Sequence, residues 1–232
     1  MATLSAGFNM TIPKAWIAWS SGKDSAWALY RTLRLGNYEV VGALTTISEK
    51  YDRVSMHGVP FDMLAEQMKS MKMMGHLLYI PDQCTNEEYE SRMIDILMQA
   101  KSDGVKHIIH GDIFLEDVKD YRDRQLARLG MEAVYPLWGD KSRSLAKEMV
   151  RGGLKAYLTC IEKKKVPEKF AGAHFDEDFL KTLPKRVDPC GENGEFHTFV
   201  YDCPMFRKAL NVKTGESVDR DGFIYTDIVP AD

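Results

Sequence analysis

At 232 residues, with 44% apolar residues and a net charge of −3, the chain fits one large domain, or one domain with a modest extension, in a soluble globular protein. No apolar run reaches the length of a membrane span, and Met1 to Lys14 lacks a basic start followed by an apolar core, so neither a membrane anchor nor a signal peptide is expected. Balanced charge argues against nucleic acid as a partner, and four cysteines without a C-x-x-C pair read as reduced thiols of a cytoplasmic protein.

Ala15 to Trp19 is a short apolar run that reads as a buried strand. It stops at Ser20-Ser21-Gly22, and a helical pattern (Ala26, Leu29, Tyr30, Leu33) begins at once, giving a helix over Asp24 to Leu35 that ends at Gly36. Tyr38 to Thr46 reads as a strand, Phe61 to Met74 as a helix with a Met-rich stripe, and His76 to Ile80 as a strand. Asn86 to Ser102 is a long amphipathic helix capped by Thr85 or Asn86. A strand at Lys106 to His110, a helix at Glu116 to Leu129, a strand at Glu132 to Tyr135, a helix at Ser142 to Arg151 and a strand at Lys155 to Cys160 follow.

This alternation predicts an α/β fold with a doubly wound, mostly parallel sheet, whose ligands bind beyond the carboxyl ends of the strands. From about Lys181 the segments shorten, with β-rich runs at His197 to Tyr201 and Phe223 to Val229. The expected organisation is a tail at 1–14, a nucleotide-binding domain at 15–165 and a small α+β lobe at 166–232 that folds back over the rim.

The strand–helix turn carries the strongest chemical signal. Small residues leading straight into a helix leave backbone N–H groups aimed at one spot, and the helix dipole adds partial positive charge there. Ser20, Ser21 and Ser25 add hydroxyl donors around Gly22, and Lys23 adds a full charge. Asp24 would repel a phosphate unless a divalent cation sits between them, which points to magnesium. An ordinary βα turn with a serine-rich cap is the competing explanation.

Three further stretches fall on the same rim. Arg53 to Pro60 contains His57, suited either to phosphate and carboxylate or to a solvated loop. In Gly111-Asp112, the glycine would let the backbone approach a ligand and the carboxylate would hold a metal or a ribose hydroxyl, while Arg122 would neutralise phosphate. Glu116 and Asp117 need no such role, because acids favour a helix start. Asp188 to Phe199 contains Glu192, Gly194, Glu195, His197 and Thr198, groups suited to binding an amine and moving protons; a surface turn explains only the glycines.

Ser20 to Ser25 resembles the Ser-Gly-Gly-x-Asp-Ser signature of the PP-loop (N-type) ATP pyrophosphatases, with Ser21 in place of the first glycine. That loop, Gly111-Asp112, Leu129-Gly130 with Tyr135 to Gly139, and Gly191 to Phe196 with Thr198 to Val200 recur together in the diphthine–ammonia ligase family, which the chain resembles over roughly residues 15 to 206. Asn193 and His197 depart from the common family pattern and look like the compact bacterial-type members, so the acceptor stays open.

The resemblance implies a PP-loop, adenine nucleotide alpha hydrolase-like fold that binds ATP and Mg2+. The phosphates would lie on Ser20, Ser21, Gly22 and Ser25, the adenine near Ala43 to Thr45, and the metal at Asp24. A carboxylate acceptor, small molecule or protein, would be adenylated and then converted to an amide by ammonia or an amine. Asp24, Glu192 and Glu195 would be catalytic, with Arg122, Gly194, His197 and Thr198 toward the acceptor. A homodimer, an adenosine nucleotide hydrolase and a non-catalytic nucleotide-binding module all remain open.

Overall fold

A computed structural model describes residues 12–231; the expected tail and the absence of a signal peptide fall, as far as residue 11, outside the described residues. The strands of the first half are β1 (Lys14–Ala18), β2 (Glu39–Ser48), β3 (Arg53–Val54), β4 (Gly75–Ile80), β5 (His107–Ile109) and β6 (Glu132–Val134). They alternate with α1 (Lys23–Leu35), α2 (Phe61–Met71), α3 (Asn86–Ser102) and α4 (Glu116–Arg128), followed by α5 (Ser142–Arg151). β1 lies between β2 and β5, β6 lies outside β5 and β4 pairs with β2, all parallel; β3 adds a short antiparallel pair at the far end of β2. The chain leaves β1 toward one side and later returns to its other side, so the crevice beyond β1 and β5 is the topological switch point.

Strand alternation divides the core between the two faces. Ala15 and Ile17 of β1, with Ala43 of β2, pack under α1, α2 and α5 together with the second lobe. Trp16 and Leu44 face the opposite way, onto Leu97 of α3 and Leu126 of α4. α1 itself buries Ala26, Trp27, Ala28, Leu29 and Thr32; each large apolar side chain removed from water contributes about 1.5–3 kcal/mol. Gly111 lies two residues past the end of β5, and a Cβ there would stand 2.7 Å from the Asp24 carbonyl carbon and 2.8 Å from the Ser25 nitrogen. Glycine at 111 is thus what lets the β5 loop lie against the first turn of α1.

The second lobe is an antiparallel sheet in the order β8-β7-β10-β9, made of β7 (Lys155–Glu162), β8 (Phe196–Asp202), β9 (Val212–Arg220) and β10 (Phe223–Pro230), with the short α6 (Glu177–Thr182) packed nearby. β7 therefore does not extend the parallel sheet, and the second sheet begins at Lys155, ahead of the expected break at 165/166. Its buried run from Leu158 to Ile161 would look the same in a parallel strand; the pairing with β8, through Tyr157 and Phe199, decides its sheet. β9 carries almost no apolar signal, because it is an exposed edge strand. α2 stops at Met71 instead of Met74, since Lys72 turns left-handed at φ +51°. Met63 is buried and Met68, Met71 and Met73 pack against the core, whereas Met74 is exposed.

Candidate active site

The phosphate-type loop is braced from within and from the other lobe. The Ser25 hydroxyl donates to the Gly22 carbonyl at 3.0 Å and lies 3.2 Å from the Ser20 hydroxyl. Gly22, the residue before α1, makes no side-chain cap. The cap comes instead from β8, where the Thr198 hydroxyl accepts the Lys23 N–H at 3.0 Å. Val200 N–H donates to the Ser21 carbonyl at 2.9 Å. Gln67 of α2 ties these pieces together: its amide donates to the carbonyls of Ser21 and Val200, and its oxygen accepts the Trp19 indole N–H at 3.0 Å.

Ser21 occupies the left-handed region at φ +68°, where a non-glycine residue is strained by roughly 1–2 kcal/mol. Its hydroxyl is buried and without a partner, as is Asp24 Oδ1. Lys23 does not reach out as a free phosphate ligand. Its ammonium is buried, donates to Asp24 Oδ2 at 2.8 Å and to the Cys190 carbonyl, and lies 5.1 Å from the Phe196 ring. Burial pulls this ammonium down, but Asp24, Cys190 and Glu192 more than offset it, so it stays charged. Burial raises the Asp24 carboxyl, and Asp188 and Asp112 add to that against the pull of Lys23.

One cleft of about 380 Å³ is lined jointly by Ser20, Asp24, Ser25, His57, Gly111, Asp112, Arg122 and Glu192. These expected site residues come from five separate stretches of sequence. Asp112 and Arg122 meet there as an ion pair at 3.1 Å. His57 lies against the loop, and its Nδ1 is 3.0 Å from the Thr198 carbonyl. A carbonyl only accepts, so Nδ1 carries the proton. Burial brings the His57 imidazole down to about 4, with Lys23 adding to the effect, so it is neutral. Glu192 crosses from the second lobe and accepts the Ile113 N–H at 2.7 Å. Burial, with Asp24 and Asp112 nearby, raises its carboxyl to about 7.

Several expected residues serve other ends. Glu195 is buried, and both its oxygens are taken: one accepts the Asp188 N–H and the Asn193 amide, the other the Asn193 N–H at 3.0 Å. It braces the turn and does not line the cleft. Asp188 does the same for the N–H groups of Cys190 and Glu192. Gly194, at φ +76°, supplies a backbone conformation. Thr198 is spent on the α1 cap, and His197 packs against His57 with ring centroids 4.7 Å apart. Ala43 and Thr45 are buried off the cleft, whereas Leu44 and Thr46 line it. The cleft-lining pair lies one residue of register from the expected one, which in a strand exchanges faces.

Reading by residue type also passed over Ala18, Ser55, Tyr89 and His110, which line the same cleft. Ala18, Ser55 and His110 could have been flagged only by their positions at or just past strand ends, and Tyr89, inside α3, carried no such signal. Cys160, Cys190 and Cys203 are buried free thiols, and burial pushes Cys160 and Cys203 up to about 12. Among the described residues, no group of three or more His, Cys, Asp or Glu side chains is arranged to hold a metal ion. A magnesium ion that takes phosphate and water ligands needs only one or two carboxylates, and the orphaned Oδ1 of Asp24 fits that requirement. No helix among the described residues is long and apolar enough to cross a membrane.

Two family models divide most of the chain between them, and the second takes in α5 as well as the antiparallel sheet. Residues 13–133 match the family described as diphthamide synthase N-terminal domain, and residues 141–228 match the one described as diphthamide synthase C-terminal domain. The diphthine–ammonia ligase of Homo sapiens is 26% identical over 222 residues, covering 86% of this chain and 82% of that protein. The Bos taurus protein of the same name is 25% identical over 223 residues with the same coverage. That of Schizosaccharomyces pombe is 36% identical over 96 residues, covering 40% of this chain and 16% of its own length.

Proposed function

This chain belongs to the diphthamide synthase family, and from that premise we propose that it is a cytoplasmic ATP-dependent ligase that adenylates a carboxylate and converts it to an amide with ammonia. The observation that carries this reading is the placing of Glu192, from the second lobe, in the same cleft as Ser20, Asp24 and Ser25 of the phosphate loop. A simple nucleotide-binding turn has no use for a second lobe that delivers a carboxyl titrating near neutrality.

The loop N–H groups and the hydroxyls of Ser20 and Ser25, which line the cleft, would hold the β- and γ-phosphates. An acceptor carboxylate oxygen attacks the α-phosphorus; the bond from that phosphorus to the bridging oxygen breaks, and pyrophosphate leaves. Ammonia then attacks the acyl carbon, the carbon–oxygen bond to AMP breaks, and Glu192 takes the proton released by the nitrogen. Asp24 would hold the magnesium that accompanies ATP, which offsets charge on the departing pyrophosphate. Glu195 and Asp188 would act as positioning residues that keep Glu192 in place. The acceptor, a small molecule or a diphthine-type protein side chain, enters from the open side of the cleft.

The test is incubation with α-labelled ATP, magnesium and ammonium, with and without cell extract as the source of acceptor. AMP formed only with the acceptor supports the ligase. AMP formed with water alone would make it a nucleotide hydrolase, and ADP would refute cleavage at the α-phosphate.

A further inference from the structure

His57 is held in one orientation by a strained turn. Met56 lies in the left-handed region at φ +64°, and the His57 N–H donates to the Ser55 carbonyl at 2.7 Å. A three-residue turn of this hand is rare and costly, and such strain collects at functional sites. The turn lays the imidazole on the phosphate loop, where a Cβ on Gly22 would stand 2.5 Å from the His57 Cε1. Nδ1 donates to the Thr198 carbonyl at 3.0 Å, so the ring cannot turn over without losing that bond.

The ring is neutral and its one proton sits on Nδ1, so Nε2 presents a lone pair. Nε2 has no hydrogen-bond partner among the described residues and stays accessible in the cleft that His57 lines. A lone pair repels phosphate oxygens and requires an N–H or O–H donor. Glu192, brought from the second lobe, makes the same demand: Oε1 accepts the Ile113 N–H, and Oε2 has no partner among the described residues. The other carboxylates of the cleft are already paired, Asp24 with Lys23 and Asp112 with Arg122. Of the three reactants in an amide ligation, only ammonia has a reacting atom that carries hydrogens.

We propose that His57 Nε2 accepts one N–H of ammonia while Glu192 accepts another, so that His57 holds the nitrogen nucleophile beside the phosphate loop with its lone pair free. This rests on the ligase reading above. His57 thereby acts as an ammonia-binding residue and not as a phosphate ligand.

The first test titrates ammonium chloride into the nitrogen-15-labelled full chain, with magnesium and an ATP analogue that carries a methylene bridge between the α- and β-phosphates. The His57 Nε2 resonance, assigned by its loss in His57→Gln, should show the unprotonated form and move saturably with ammonium. Potassium chloride, whose cation is of similar size but has no N–H, should not move it. A protonated Nε2, or an equal response to both salts, overturns the proposal.

The second test follows AMP formation with cell extract as the source of acceptor. His57→Phe should raise the KM for ammonium about tenfold, as expected for one lost hydrogen bond, and leave the KM for ATP in place. His57→Gln, whose amide oxygen accepts, should recover part of the loss. An unchanged KM for ammonium, or an equal rise for ATP, also overturns the proposal. Should His57→Phe fail to fold, the resonance decides. An ammonium-dependent shift without AMP formation by the wild type would refute the ligase reading and keep the site; AMP formation without the shift would refute the site and keep the ligase.

Discussion

Replacing Glu192 by Gln should make the protein more stable and less active at once, with the stability gain confined to one pH range. The carboxyl titrates at about 7 in the fold, against 4.5 for an unperturbed glutamate. The folded state therefore binds more protons than the unfolded state between those values, and wild-type stability falls as pH rises through that window. At ~1.4 kcal/mol per pH unit the penalty is bounded at roughly 3.5 kcal/mol, and partial solvent access reduces the expected gain to about 1–2 kcal/mol. Gln keeps an oxygen for the Ile113 N–H and carries no charge at any pH. Urea denaturation of both proteins at pH 5 and pH 8.5 should show near-equal stability at the lower pH and the full gain at the higher. Amide formation should be lost at both, with ATP affinity nearly intact. A stability difference of the same size at both pH values, or a less stable variant at pH 8.5, would refute the assignment of a raised, ionisable carboxyl in the cleft.

Asp24→Asn should lose AMP formation and also destabilise the fold by up to about 3 kcal/mol, because Lys23 is then buried without its counter-charge; calorimetric melting beside the AMP assay checks both. Gly111→Ala should cost about 1–3 kcal/mol and weaken ATP binding, since the new methyl group meets the backbone of Asp24 and Ser25; unchanged melting would contradict the close approach. Ser21→Gly should stabilise the chain by about 1 kcal/mol, relieving both the left-handed strain and the orphaned hydroxyl, as read by urea denaturation.

Local rules carried the sequence as far as the first lobe and its rim. The apolar run before Ser20, the stop at Gly36 and the repeated strand–helix spacing determine a parallel sheet wound on both sides, and that topology alone places Ser20 to Ser25, Gly111-Asp112 and Arg122 along one edge. Glu192 was legible as a carboxylate in a glycine-rich turn. Tertiary structure decided the division of labour among its neighbours. Glu195, Thr198 and Lys23 have the residue types of a reactive site, but packing commits them to a turn, a helix cap and a bridge between lobes. Thr198 caps a helix that begins 175 residues earlier, and no local pattern encodes that meeting. The cleft-facing set on β2 shows the same limit: alternation separates Leu44 and Thr46 from Ala43 and Thr45, but both faces of a doubly covered sheet are buried. Which face opens on the ligand depends on the helices and the lobe that settle against it.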